Sequence, residues 1–480
     1  MRYQILSVLA AALIASTACG DLTSINDNPN GPTDVQPPSM LSNAIQTVVN
    51  RVDGPNNNLD TRGGGLWVQY YAEIQYRDED KYIVRPGVDG EWGLYSSALE
   101  DFQRMIGKGV AAGVPNWEAV GRIMKSYVFS VMTDAMGDIP YSEAFQERAL
   151  LTPKYDTQQA IYTALFVDLA KASQQIDPAG IGFASGDIMY GGDMTKWRRF
   201  ANSLRLRLAM HLSNVDAATA QREALAAFTA GPFASNTENA QLMYLASAPN
   251  QNPIYTNFHV DKRDDYGMSK TLVDSMLSWN DPRLPIYAQP NDTTGAYQGL
   301  PNGLNDGAGP QLKFISRFGT FWRDTPAAPL ALLTYSEVLF LEAEAAERGW
   351  ISGTPATLYA NAIRASMEQY GIATAAIDAY LAQPRVAYAG GAAGLTQIAY
   401  QKWVSLFMQG MEGWTEVRRT GVPALVPGPN AVLTSIPERL PYSDNEQVLN
   451  KANVDAAVAA QGFTSGTDLK TPLWFTGRQR

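Results

Sequence analysis

The chain has 480 residues, a formal net charge of −10, two His and one Cys. An acidic balance without clustered Lys or Arg excludes nucleic acid as a partner, because phosphate binding needs concentrated positive charge. One Cys excludes an internal disulfide, and two unclustered His exclude a zinc or di-iron centre built on imidazoles.

Arg2, the apolar run Ile5 to Ala15 and the small residues Ser16, Thr17 and Ala18 read as a secretory signal, too short to span a membrane. Cys19 follows directly, which is where a lipoprotein signal places its lipidated residue, and acyl chains there would hold the mature chain at a membrane surface. The expected organisation is a signal peptide over 1–18, a lipidated flexible tether over 19–38 and a single domain over 39–480. Within the tether, Asn26, Asn28, Asn30 and Gly31 imitate the start of an EF-hand loop. Its twelfth position is Pro37 where a bidentate Glu is needed, so the segment reads as turns.

Amphipathic periods predict helices over Met40 to Val52, Trp92 to Ile106 and Asn116 to Met136, the last capped by Asn116. GDIPYSEAF, Gly137 to Phe145, redirects the chain through an X-Pro turn. Asp156 with Gln159, and then Thr195, read as the starts of two more helices, and the arginines of Gly191 to Ser213 are expected to pair with neighbouring carboxylates. From Gly231 to Leu333 the period breaks down, with helix limited to about Lys270 to Trp279. A long irregular insert in a compact domain is uncommon unless it is functional, so ligand-facing loops are expected here. Thr334 with Glu337 then reads as a capping box, and Thr354 with Pro355 opens a second helix. These two helices form an αα-hairpin, the unit of tetratricopeptide-like solenoids, although no sequence repeat of that length is present. Leu395 to Pro423, LTQIAYQKWVSLFMQGMEGWTEVRRTGVP, predicts one helix capped by Thr396. Its buried stripe carries Trp403, Phe407, Gly410 and Trp414, with Lys402, Gln409, Glu412 and Glu416 toward water. Gly410 among aromatics predicts the close approach of another helix.

No nucleophile elbow, phosphate loop or metal-ligand spacing is present, so no catalytic residue, metal or cofactor is expected. The carboxylate pairs Asp134/Asp138 and Glu412/Glu416 are the remaining route to glycosidase chemistry, and nothing nearby in sequence supplies the apolar setting that such an acid needs. Aromatics in irregular regions are the ligand candidates: Trp67, Tyr76, Tyr82 and Trp92 early, then Tyr297, Phe318, Phe321 and Trp322. Sugar rings stack on such faces, with Arg77, Arg85, Asn302 or Asn305 bonding hydroxyls.

TDAMGDIPYSEA at Thr133 to Ala144, GGDMTKWRRFANSLRLRLAMHLS at Gly191 to Ser213, YSEVLFLEAEAAERG from Tyr335 and the QKW to RRTGVP run from Gln401 together resemble the SusD/RagB family of bacterial outer-membrane lipoproteins. That resemblance implies a mainly α fold, a scaffold of four tetratricopeptide-like helix pairs carrying long irregular loop insertions. It also implies a lipid anchor at Cys19, a place on the cell surface, an oligosaccharide or oligopeptide ligand and a SusC-like TonB-dependent transporter as partner. The alternatives are a surface glycoside hydrolase and a tetratricopeptide-type scaffold that binds only protein. The long aromatic insert counts against the latter.

Overall fold

Helix follows the apolar period wherever the chain can bury one stripe, and the computed structural model describes residues 35–55, 58–85, 92–146, 149–183 and 185–478. The expected signal peptide, Cys19 and most of the tether lie outside these residues. Among them, the helices of nine or more residues are α1 (Pro37–Val52), α2 (Glu100–Ala112), α3 (Pro115–Met136), α4 (Gln158–Gln175), α5 (Met194–His211), α6 (Ala217–Ala230), α7 (Lys270–Ser278), α8 (Tyr335–Glu347), α9 (Pro355–Glu368), α10 (Gly391–Ser405), α11 (Gly410–Thr420) and α12 (Lys451–Gln461). Neighbours in sequence pack on one another, α2 on α3, α3 on α4, α4 on α5, α5 on α6 and α8 on α9, and this is a mainly α, tetratricopeptide-like scaffold. Among the described residues no helix is long and apolar enough to cross a membrane.

The loop-rich insert is tied to the helices by two small antiparallel sheets. β1 (Tyr71–Glu73) pairs with β3 (Tyr266–Met268), Tyr71 opposite Met268, and β2 (Ala240–Leu242) pairs with β4 (Leu330–Leu333). Leu41, Val48, Phe102, Ile123, Trp197 and Trp414 belong to the main apolar core. Phe340, Tyr359, Ile363 and Ile377 form a smaller core around α8 and α9.

Several helix starts differ from expectation, each because the expected cap has another partner. Asn116 sits inside α3, where its amide donates to the carbonyl oxygens of Asp177 (2.8 Å) and Ile181 (3.0 Å). Asp156 accepts from the backbone N–H of Tyr141 and Ser142, and Thr157 caps α4 by accepting from Ala160 N. Asp193, two residues before Thr195, caps α5. Thr334 does cap α8, but the return bond of a capping box is missing because the Glu337 carboxylate is drawn to Arg207. Pro355 opens α9 as expected, while the Thr354 hydroxyl makes no capping bond.

The largest difference lies at Leu395 to Pro423. The chain forms two helices, α10 and α11, broken at Leu406–Gln409, where Met408 holds a left-handed φ of +71°. Thr396 is inside α10 and bonds back to Ala392 O. The reason for the break is the approach predicted at Gly410: a Cβ there would run into the Asp60 carboxylate and the Gly65 backbone, and one on Gly64 would meet the Gly410–Met411 peptide. Two glycine faces cross, and α11 has to start at this crossing. Trp403 and Trp414 then bond to separate segments, at Val68 O (3.2 Å) and Pro437 O (2.8 Å). Lys402, Gln409, Glu412 and Glu416, expected in water, are all buried.

Candidate ligand-binding site

The buried polar residues of α11 first need an account, because they include the possible catalytic carboxylates. Arg207 of α5 grips Glu337 of α8 through two bonds of 2.6 Å. His211 places Nε2 3.0 Å from Glu412 Oε1 and Nδ1 3.1 Å from Asp134 Oδ2. Arg419 donates to both oxygens of Glu344 (2.7 and 2.6 Å), to Glu416 (2.7 Å) and to Ser213 Oγ (2.7 Å), and Lys402 Nζ lies 2.7 Å from Glu416. These side chains are almost wholly enclosed, so each charge depends on its partners.

Burial alone would push Glu344 up, yet the charge and hydrogen bonds of Arg419 bring it down to about 2. Against the same burial, Arg419 and Lys402 hold Glu416 well below the usual carboxylate range, and Arg207 and His211 lower Glu412. Burial pushes His211 down, but Glu412 and Asp134 outweigh it and raise the imidazole to about 9, so it is a cation at neutral pH. A glycosidase acid must keep its proton near pH 7. Glu412 and Glu416 are instead held ionised by cations. His211, Glu412 and Glu416 bring ligand atoms within 4.8 Å of one another, but a protonated imidazole and two ion-paired carboxylates do not fit a metal.

The aromatic candidates divide. Trp67, Tyr82, Phe318 and Trp322 are buried, at 0%, 3%, 5% and 4% exposure. Trp67 packs edge-on against Trp414 (5.0 Å) and Tyr82 (6.2 Å), and Phe318 fits between Tyr71 and Phe407. As placed, Trp67, Tyr82 and Phe318 are core residues, because the irregular segments that carry them turn their rings inward. Trp92 is half-buried and stacks on Tyr155 at 6.3 Å, while Tyr297 is half-buried on the 291–300 turn. Phe321 is half-buried against Tyr370 at 5.4 Å.

Tyr76 alone among the described aromatics is mostly exposed, at 61%. It follows β1 and holds φ at +57°, a conformation that presents the ring outward from a fixed base. Asp265 supplies that base: it accepts from Gln75 Nε2 (2.7 Å), Arg263 Nε (2.6 Å) and Asn257 Nδ2 (3.0 Å), and its carbonyl takes Ile74 N–H (2.8 Å). The expected hydroxyl-bonding residues have other tasks. Arg77 is buried and donates to Asn305 O and Ala308 O, Arg85 pairs with Glu79, and Asn302 donates to Asp80 at 2.6 Å. Asn305 remains exposed. The sequence reading missed Phe258, whose ring lies 3.5 Å from the Arg323 guanidinium, and the Arg263/Arg317 pair flanking it. The charged run DKRDDY at Asp261 to Tyr266 was the available signal.

Beneath Tyr76, burial pushes Glu73 up to about 10, with help from Asp80 and Glu79, and burial raises Asp80 to about 7. A carboxyl whose folded pKa is raised contributes fully only below its unfolded pKa, near 4.3, and loses that contribution as pH rises toward 10. Glu73→Gln removes this loss. Its melting temperature should exceed wild type by a few degrees at pH 8, with the gap closing below about pH 4. Equal melting curves at pH 8 would show that Glu73 is ionised in the fold.

A second feature lies on the other side of the 320–323 turn. A cavity of about 440 Å³ is enclosed by β2, β4, the end of α9 and the α10–α11 junction, and its walls include Phe321, Trp322, Tyr370, Phe407 and Gln409.

A helical scaffold whose loops carry an exposed aromatic on a braced base, with a roomy cavity at a separate place, has features in common with ligand-binding proteins. The family described as starch-binding and associating with the outer membrane matches residues 29–443, and the chain belongs to this SusD-like family. Among solved structures, a chitin-binding protein is 30% identical with a TM-score of 0.80, covering 92% of this chain and 100% of its own. A chitin-binding SusD homologue from Flavobacterium johnsoniae is 26% identical (TM-score 0.78; 91% and 97%). A SusD homologue from Bacteroides uniformis is 26% identical (TM-score 0.81; 93% and 100%). No curated protein matches the chain in sequence.

Proposed function

We propose that this chain is a lipid-anchored, non-catalytic protein of the outer-membrane surface that captures a glycan and presents it to a SusC-like TonB-dependent transporter. The observation that carries the reading is Tyr76, an exposed ring on a braced loop in a chain whose relatives include chitin binders. The apolar C–H face of a sugar stacks on the phenol ring, and the exposed Gln75 beside it, with the exposed Asn305 of a neighbouring segment, offers polar groups to hydroxyls. Modest affinity suits this task, because a ligand held too tightly would not be passed on.

Tyr76→Ala should weaken binding of soluble chitin- or starch-derived oligosaccharide by about tenfold, close to 1.4 kcal/mol, in isothermal titration. Unchanged affinity would move the site elsewhere. An oligopeptide that binds where both glycans fail would replace the ligand class, and release of reducing ends during the titration would favour the hydrolase. Cys19→Ser should leave the fold intact and shift the protein from the membrane to the soluble fraction. Retention in membranes that lack the transporter would refute the anchor.

A further inference from the structure

We infer that the cavity between the β2–β4 sheet and the α10–α11 junction is a second binding site, for an uncharged saccharide, separate from the Tyr76 face. The inference rests on the glycan reading above and assigns a ligand chemistry to a place that reading leaves unused. Its volume of about 440 Å³ falls within the range of small-molecule pockets.

The lining excludes most other ligands. None of the residues around the cavity is charged, although the chain carries 37 Lys and Arg and 47 Asp and Glu. An anionic or cationic ligand would leave its charge without a counterion in a partly enclosed space. One wall is a continuous aromatic surface, with Phe321 4.8 Å from Trp322 and 5.4 Å from Tyr370, and Trp322 6.2 Å from Phe407. An apolar ligand would match that wall but leave Trp322 Nε1 and Gln409 Oε1 without partners.

Three polar atoms on the lining residues point to hydroxyl groups. Trp322 Nε1, Gln409 Oε1 and Asn236 Oδ1 are buried with no hydrogen-bond partner in the protein, while the Asn236 amide nitrogen is fixed on Ala365 O at 3.0 Å. Buried polar groups are ordinarily paired, and three of the unpaired ones belong to residues that line this cavity. One is a donor and two are acceptors. A sugar hydroxyl both donates and accepts, so it can serve either kind. Trp322 Nε1 and Gln409 Oε1 are enclosed, so turning those two side chains is part of binding, while Asn236 is held in place by Ala365 O.

Maltoheptaose and chitohexaose, titrated calorimetrically into the full chain, test the inference. Met243 lines the rim and is 53% exposed, so Met243→Glu places a charge at the mouth without disturbing the core. Gln409→Leu removes an acceptor at nearly constant shape. Whichever probe the wild type binds, Met243→Glu should weaken it by about tenfold or more and Gln409→Leu by about threefold, with Met243→Glu keeping the wild-type melting temperature. If both variants bind as wild type while Tyr76→Ala does not, the cavity inference is overturned and the glycan reading stands. If the wild type binds neither probe, both fall. A uronate oligomer that binds as tightly as the neutral probes and is equally sensitive to Met243→Glu would overturn the assignment to uncharged ligands.

Discussion

Arg419→Met should lower the free energy of unfolding by about 3–5 kcal/mol at pH 7, the cost of leaving buried charge uncompensated. Arg419 is wholly enclosed and is the one group that bonds Glu344, Glu416 and Ser213 together. Methionine fills much of the same space, so the loss is electrostatic and leaves little void. Glu344 and Glu416 would then face each other with Arg348, 2.9 Å from Glu344, and Lys402, 2.7 Å from Glu416, as close cations. The pH profile separates this account from simple misfit. A carboxylate depressed to about 2 in the fold contributes stability above its unfolded pKa, near 4.3, and loses it as pH falls toward 2. Wild type should therefore lose stability steeply below about pH 4, whereas the variant, lacking that contribution, should show a flatter acid limb. Urea titrations at pH 7 and pH 3 with unchanged slope are the measurement. A variant as stable as wild type at both would mean that the carboxylates are protonated.

Trp414→Ala is expected to cost a similar amount, about 3–5 kcal/mol, by a different route. The ring has no exposure, donates to Pro437 O at 2.8 Å, meets Trp67 edge-on at 5.0 Å and carries the Arg418 guanidinium 3.4 Å above its face. Alanine leaves a void on one side and strips the ring face from the buried Arg418 guanidinium on the other, although Arg418 keeps its bond to Glu438 O. Trp414→Phe keeps most of the volume and should recover more than half of the loss. A thermal midpoint for Trp414→Ala within about a degree of wild type would contradict the packing seen here, since 1 kcal/mol alone moves a large domain by ~2–4 °C.

The two expectations rest on unequal reading of the sequence. Trp414 and its stripe were legible because the 3.6-residue period is local. The opposite face was not: Glu412 and Glu416, four apart, look like a solvated edge, and they are buried by Arg207, His211 and Lys402 arriving from α5 and α10. The break before Gly410 was illegible for the same reason, since Asp60 and Gly65, far away in sequence, impose it. In the candidate site, Tyr76 could be picked out as an aromatic in a turn-rich segment, but Trp67 and Phe318 share that description and are core. Irregular backbone does not mean exposed side chains. The cavity combines β2, the 320–323 turn, the end of α9 and the α10–α11 junction, and no local pattern announces such a meeting.

The late position of α11 bears on how the molecule comes into being. Its Glu412 and Arg419 complete charge groups whose other members, Asp134, Arg207, His211 and Glu344, are made long before it. Arg207 and His211 find Glu337 and Asp134 within the earlier chain, whereas Arg419 and Glu416 join Glu344 only when α11 is made, so this part of the interior closes late. The interior between α5, α8 and α11 is therefore complete only once most of the chain has been made.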